Sequence, residues 1–435
     1  MSSTDRRDTG STTVGRPRRH RGHLEVTEDL RDAVLASPAS PESGAGAPLR
    51  VATVIARLEG GAGMMALIGA AAMDPAQVTG TIVTGSGDAL LAEARAAGLE
   101  VIVEPSLRAA IMPTHDWLAY RRLARLFEER RFDIVHTHCS KAGAIGRLAA
   151  HHSAHSAIVH TYHGFAFHSF QSPVRREAYV RIERGLGRVT DVALCVGNGV
   201  AEEAVRRRLL AAERIRTIGV AVDSAAAARA SLRAWDPVAR QKARAALCLP
   251  SDATVVGSVG RLTYQKAPED FVRSIDQLGR PEVVGVWIGG GELAGRVERL
   301  ASRLGRGRVV FAGERTDVLE LLPALDLFAL TSRYEGLPTV VVEAMICGVP
   351  VVATAVNAVP DLVVAGQTGL LVPPQRPDLM AHALGWLLDQ PSEAARMAAA
   401  ARRHVGDRFS EVTLRDALLS TYTAVCEHAR ATRTS

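Results

Sequence analysis

EGLPTVVVEAMICGVPVVAT, residues 335–354, sets two glutamates eight positions apart around a helical stretch and then runs into β-branched residues. Gly336 and Pro338 place Glu335 ahead of the helix, and Pro338 suits a first helical turn because the N–H it lacks has no partner there. Glu343 then falls two turns in. The amides around Leu337, Thr339 and Val340 stay free at the positive end of the helix, a place that favours an anion of the diphosphate kind. PVVAT, from residue 350, reads as the strand that follows.

The same alternation extends in both directions. Strand-like runs precede it at TVVGSVG (254), VVGVWIGGG (283), RVVFAG (308) and LDLFAL (325), and GLLV follows at 369. An earlier series runs VATVIA (51), GTIV (80), EVIVE (100), DIVH (133) and AIVH (157). Helical spacing fills the gaps, as in residues 116–130, where Trp117, Tyr120, Leu123, Ala124 and Phe127 share a face and Asp116 is placed to cap. Strands alternating with helices predict an α/β fold with parallel sheets, here two in series. A length of 435 residues also exceeds what one core usually serves.

Residues 1–48 lack an apolar period and are predicted to be a disordered basic tail. Residues 49–220 form the first domain and 221–408 the second, with the boundary near TIGVAVDSAAAARAS (217–231). Residues 409–435 form a last helix whose stripe of Leu414, Leu418, Tyr422, Val425 and Cys426 is predicted to pack back on the first domain. A ligand is expected in the cleft between domains.

Composition narrows the function classes. With 47% hydrophobic and 23% charged residues the chain reads as a folded globular protein. No uncharged apolar run is long enough to span a membrane, and the N-terminus has no secretory pattern, so a cytoplasmic location is expected. The five cysteines are scattered and read as buried thiols. A net charge of +6 owes much to Arg16, Arg18, Arg19 and Arg21, which requires no nucleic acid. Those arginines suit either a peripheral contact with anionic lipid or a solvated polar face. Lysine occurs only at 141, 242 and 266 among 52 basic residues, and two of these fall within the motifs that follow.

Residues 335–354 resemble the E-x7-E signature of family 4 glycosyltransferases, retaining enzymes of the GT-B fold, in which two Rossmann-like domains present parallel sheets to a central cleft. VGSVGRLTYQKAPEDFV (256–272) resembles the family's phosphate-holding strand and loop. DIVHTHCSKAGAIGRLAA (133–150) and IVHTYHGFAFH (158–168) are similar to members acting in exopolysaccharide and capsule assembly. The likeness runs from about residue 50 to 425.

The resemblance implies transfer of a hexosyl-type sugar from a UDP- or GDP-type nucleotide sugar to a hydroxyl of a glycan, a lipid-linked sugar or a small molecule, with retention. Glu335 and Glu343 would grip opposite ends of the donor, with Gly336, Leu337, Pro338 and Thr339 between them. Arg261 and Lys266 would clamp its phosphates. Fixed cations there stabilise the charge of the departing diphosphate more in the transition state than before it, so no metal or other cofactor is expected. His163 matches the histidine that the family places beside the donor sugar. Lys141, at a helix start capped by Ser140, would meet an acceptor or a donor phosphate. Gly60 and Gly61 would let backbone approach the diphosphate, although a tight turn explains the pair as well. The glycines of VWIGGGEL (286–293) leave the same choice between a turn and a nucleotide border.

Two departures stand out. Val220-Ala221-Val222-Asp223 replaces the family's frequent Asn-Gly at the linker, and Asn357-Ala358-Val359-Pro360-Asp361 replaces its frequent Gly-Gly before Pro-Glu. Other readings are a nucleotide-sugar epimerase of GT-B type, a non-catalytic nucleotide-sugar-binding protein and a nicotinamide-dependent dehydrogenase, the last disfavoured by the lack of G-x-G-x-x-G after a strand. Five histidines between residues 151 and 163 invite a metal site but lack metal-ligand spacing with carboxylates.

Overall fold

The computed structural model describes residues 47–87, 89–233, 236–304 and 308–434, so almost all of the predicted basic tail lies outside the described residues. Strands β1 (Leu49–Leu58), β2 (Val78–Gly87), β3 (Glu100–Val103), β4 (Ile134–His138), β5 (Ala157–Tyr162), β6 (Val192–Cys195) and β7 (Ile215–Thr217) form one parallel sheet, ordered 3-2-1-4-5-6-7. Strands β8 (Thr254–Val259), β9 (Val283–Ile288), β10 (Arg308–Phe311), β11 (Leu327–Leu330), β12 (Val351–Thr354) and β13 (Leu370–Val372) form a second, ordered 10-9-8-11-12-13. In each sheet the order reverses where a central strand meets a later one, β1 beside β4 and β8 beside β11. Loops leave such a switch point in opposite directions, and the crevice at the strands' carboxyl ends receives ligands.

Helices cover both faces, so central strands are apolar along their length, as in the fully buried VVGVWI of β9. β4 and β5 are buried throughout too, yet they carry His136, His138 and His160. A buried imidazole is costly unless hydrogen-bonded, so these three mark a polar network inside the first sheet.

Between the sheets, Val220, Ala221 and Val222 are buried, and the Val222 N–H donates to the Phe409 carbonyl at 3.0 Å. The way out of the first lobe is thereby fastened to the start of the last helix, Glu411–Thr434. That helix returns to the first lobe. Leu414, Leu418, Tyr422, Val425 and Cys426 are all buried, and a Cβ placed on Gly69 would come within 2.9 Å of Leu418 Cδ1.

Two caps differ from expectation. The helix Pro113–Arg130 begins three residues before Asp116, behind Met112; Asp116 instead accepts the Met112 N–H from within the first turn at 3.2 Å. Its buried face is Ala119, Leu123, Ala124 and Phe127, while Trp117 is exposed. The helix Ser140–Ser153 has Cys139, not Ser140, in the capping position, at φ +61°, and no side chain caps it. Ser140 is instead the first residue of the helix.

Candidate functional site

Glycines stand at several of the places where the carboxyl ends of the two sheets meet. A Cβ on Gly61 would lie 3.5 Å from Thr339 Oγ1. One on Gly336 would fall 1.9 Å from the His163 carbonyl oxygen, and one on Gly199 would fall 2.2 Å from the Asn357 carbonyl oxygen. Backbone therefore packs on backbone where the lobes touch, and only glycine fits at Gly336 and Gly199. Gly60 opens the helix Gly60–Ala71 at φ +60° with nothing within 4 Å of its would-be side chain.

In the second lobe the loop after β8 carries Arg261 and Lys266. Lys266 Nζ lies 2.6 Å from Glu335 Oε1, and Ser332 Oγ donates to the same oxygen at 2.5 Å. Gln265 Nε2 approaches the other oxygen at 3.4 Å, and the Glu335 N–H donates to Asn357 Oδ1 at 3.0 Å. Glu335 is thus buried and held by Ser332 close by in sequence and by Lys266, Gln265 and Asn357 from distant segments. Arg261 is exposed, and its guanidinium bonds no described residue.

Pro338 sits at the N-cap of the helix Thr339–Ile346, at φ −75° and ψ 107°, not within its first turn. Its extended ψ lets Gly336 and Leu337 cross beneath the first lobe before the helix starts. Glu343 is consequently about one turn in, not two. The amides of Leu337, Thr339 and Val340 donate to no described backbone carbonyl, which leaves them at the helix's positive end. Burial among apolar neighbours pushes the Glu343 carboxyl up to about 7, and it has no hydrogen-bond partner among the described residues.

In the first lobe, His163 follows β5 and its Nε2 lies 2.9 Å from His138 Nδ1. Burial pushes His163 down to about 4, so the ring is neutral at physiological pH. Lys141 does not join this group as an open cation: its ammonium is paired with the Asp116 carboxylate. A short acidic side chain in the first turn of the preceding helix reaches it once the two helices pack together, and sequence spacing gives no sign of that. Among the described residues no three His, Cys, Asp or Glu side chains are arranged to hold a metal ion, and no helix is long and apolar enough to cross a membrane.

Beside the site two cavities, of about 510 and 360 Å³, share Phe165, His168, Phe170 and Tyr334. His168 of the first lobe stacks on Tyr334 of the second, ring centroids 4.0 Å apart and planes at 10°.

Residues 60–226 match the model of the family described as Glycosyltransferase Family 4, and residues 239–404 match that of Glycosyl transferases group 1. The chain is 34% identical over 320 residues to the D-inositol 3-phosphate glycosyltransferase of Mycobacterium leprae (strain Br4923), covering 69% of this chain and 71% of that one. It belongs to the family 4 glycosyltransferases. This glycosyltransferase is also 29% identical over 272 residues to the UDP-Gal:alpha-D-GlcNAc-diphosphoundecaprenol alpha-1,3-galactosyltransferase of Escherichia coli, covering 59% and 68% of the two chains. Its fold is that of Anabaena HepE, solved in complex with UDP and glucose, at a TM-score of 0.74 and 22% identity over 86% of this chain and all of the other. The GT-B architecture follows from that likeness together with the two parallel sheets. A nucleotide-sugar-dependent glycosyltransferase leaves no place for the dehydrogenase reading, and matches in both lobes favour transfer over the epimerase and non-catalytic ones.

Ser332, Gln265, Asn357 and His138 escaped the sequence reading. Asn357 had a signal: it stands where the family often has glycine, and it adopts φ +45°, which asparagine tolerates better than other side-chain-bearing residues. Ser332 is an ordinary polar residue three positions before Glu335, and Gln265 and His138 have partners that lie in another segment.

Proposed function

We propose that this glycosyltransferase moves a hexosyl-type sugar from a UDP- or GDP-type donor to an acceptor hydroxyl with retention at the anomeric carbon, without a resident metal. The observation that carries the proposal is the buried Lys266–Glu335 pair at 2.6 Å, with Gly336, the next residue, against the backbone of His163 and the helix Thr339–Ile346 starting three positions further on. A diphosphate entering beside the amides of that helix start competes for Lys266 and gains Arg261 as a second cation. Glu335, released from its ammonium, accepts hydrogen bonds from sugar hydroxyls, and Glu343 accepts them from the ribose. The bond between anomeric carbon and phosphate oxygen then breaks with its electron pair going to the diphosphate. The acceptor oxygen bonds the same face of the carbon, and its proton passes to the departing phosphate oxygen. Fixed cations at that oxygen favour the transition state over the bound donor.

The flanking cavities leave room for an acceptor beside the donor sugar. We read that acceptor as phosphate-bearing, a lipid-linked diphosphate sugar or a small phosphorylated polyol, in line with the names of the relatives. A lipid-linked acceptor places the work at the inner face of the cell membrane, through peripheral contact.

Radiolabelled UDP- and GDP-sugars test the reading through slow donor hydrolysis in the absence of acceptor. Lys266→Ala and Glu335→Ala should each lower that rate by two orders of magnitude or more, as loss of a group stabilising developing charge does elsewhere. Unchanged hydrolysis in both variants, or release of an epimerised donor, would refute transfer through this site.

A further inference from the structure

Parallel pairing of β4 with β5 sets His136 across from Val159, Thr137 from His160 and His138 from Thr161, which puts His136 and His138 on one buried face of the sheet, toward His163, and His160 on the other. Each ring is anchored differently. His136 is bonded through both nitrogens, Nδ1 to the Tyr422 hydroxyl and Nε2 to Thr161 Oγ1, each at 2.7 Å. His160 meets Thr137 Oγ1 through Nδ1 at 2.8 Å. His138 lies against the His136 ring, with centroids 4.2 Å apart, and meets His163 Nε2 through its own Nδ1 at 2.9 Å. Its Nε2 is enclosed by protein and has no partner among the described residues. The cavity beside it, of about 10 Å³, is at the lower limit for a single water molecule.

Burial holds His138 and His163 neutral, so each ring carries one N–H, and one of the two facing nitrogens must donate. Were His163 the donor, the proton of His138 would sit on its enclosed Nε2, as an N–H with no acceptor among the described residues. With the proton on Nδ1 of His138, only a lone pair goes unmatched. Buried orphan N–H groups are rarer than under-satisfied acceptors, and the second arrangement is the better one. The choice propagates outward, because the hydrogen bond made by one ring nitrogen decides which nitrogen is protonated. His163, accepting at Nε2, must carry its own proton on Nδ1. That atom bonds no described residue and, unlike Nε2 of His138, is not enclosed.

We infer that His138 is a positioning residue that fixes the tautomer of His163, so that His163 presents Nδ1–H to the cleft as a standing donor to a hydroxyl or ring oxygen of the bound sugar. The inference rests on the proposed reading of His163 as a donor-sugar contact. His136 and Tyr422 hold the stack from behind, so the last helix of the chain contributes to the orientation of a cleft residue.

Ring-nitrogen NMR of the full chain, labelled with ¹⁵N-histidine and without ligand, tests the tautomer directly, with His163→Gln and His138→Asn assigning the two residues among 14 histidines. The expected spectrum has protonated Nδ1 and unprotonated Nε2 in both. A protonated Nε2 in His163 overturns the inference. His138→Asn keeps an N–H near the place of Nδ1 and should preserve the His163 tautomer, with kcat for donor hydrolysis within about threefold of the parent. His138→Leu removes the donor, and His163 should populate both tautomers while kcat falls roughly 5- to 10-fold, more than KM changes. Equal activity and an unchanged His163 spectrum in His138→Leu overturn the inference. The expected spectrum without any donor turnover in the parent would instead refute the transfer reading and leave the tautomer assignment standing.

Discussion

Replacing Gly336 by alanine adds a single methyl group at the point where the two lobes touch. The new Cβ would lie 1.9 Å from the His163 carbonyl oxygen and 2.7 Å from its carbon, both backbone atoms that cannot rotate away. Reaching ordinary contact at 3.4 Å or more requires the two segments to separate by about 1.5 Å. Each lobe has apolar clusters of its own besides the one they share, so the separation falls largely between them, where His163, Glu335 and the helix amides meet the donor in the proposed reading. Misplacement by about 1 Å costs on the order of a hundredfold in rate, near 2.7 kcal/mol of barrier. Gly336→Ala should therefore lower kcat/KM for donor hydrolysis by about two orders of magnitude while thermal melting changes little. Gly185→Ala is the control, since nothing lies within 4 Å of its would-be Cβ in the helix Pro173–Gly187. It should keep full activity and gain about 0.5–1 kcal/mol of stability from a better helix former. Parental turnover in Gly336→Ala would refute the claim that backbone contact sets the site's geometry.

Two further perturbations probe the interior. Glu343 has a folded pKa raised to about 7 from the usual 4.5, so its protonated form is the favoured one when buried. Stability associated with that proton is present in full below about 4.5 and is lost as pH rises through about 7. Glu343→Gln, which needs no proton, should gain on the parent between pH 5 and 8 by no more than about 3 kcal/mol, less for the part the solvent reaches, in denaturant melts at the two pH values. If ribose hydroxyls bond the ionised carboxylate, calorimetric UDP affinity should rise toward pH 7 and level above it in the parent, but stay flat in Glu343→Gln. Arg147 is fully buried, donating to Glu183 Oε2 at 2.8 Å and to the Gly143 carbonyl at 2.8 Å. Arg147→Leu leaves the Glu183 charge buried without its partner and should cost about 3–5 kcal/mol in urea unfolding, whereas the double change Arg147→Leu with Glu183→Leu should recover most of it. Equal losses in both would refute the ion-pair account.

The element pattern was legible because it is local. Period-2 and apolar runs, and the helical spacing between them, depend on residues within a few positions of one another, and the alternation of strand with helix leaves parallel sheets as the workable solution. The glutamate pair and the loop of Arg261 and Lys266 were legible for a similar reason, since each segment keeps its residue types in order along a short stretch. Cap positions were less so. Asp116, Ser140 and Pro338 all belong to residue types that start helices, but Cys139 at φ +61° and the extended ψ of Pro338 set the starts one residue away from where the residue types alone put them.

Partnership across the fold was decided only in three dimensions. Lys266 reaches Glu335, His138 reaches His163, and His136 reaches Tyr422 near the other end of the chain. Lys141, which by position promised an open cation, is neutralised by Asp116. Arg147 lies within a segment similar to the family's cleft motif yet serves the core. Hydrogen bonds act over about 3 Å, and residues tens or hundreds of positions apart come that close only when sheets have formed and helices have packed on them. By itself, then, the sequence determined most of the segments that become strands and helices, though not the short β6, and which residue types stand at the strands' carboxyl ends; the tertiary structure decided which of those side chains are free to meet a ligand, because burial and ion pairing belong to neighbours that local order does not name.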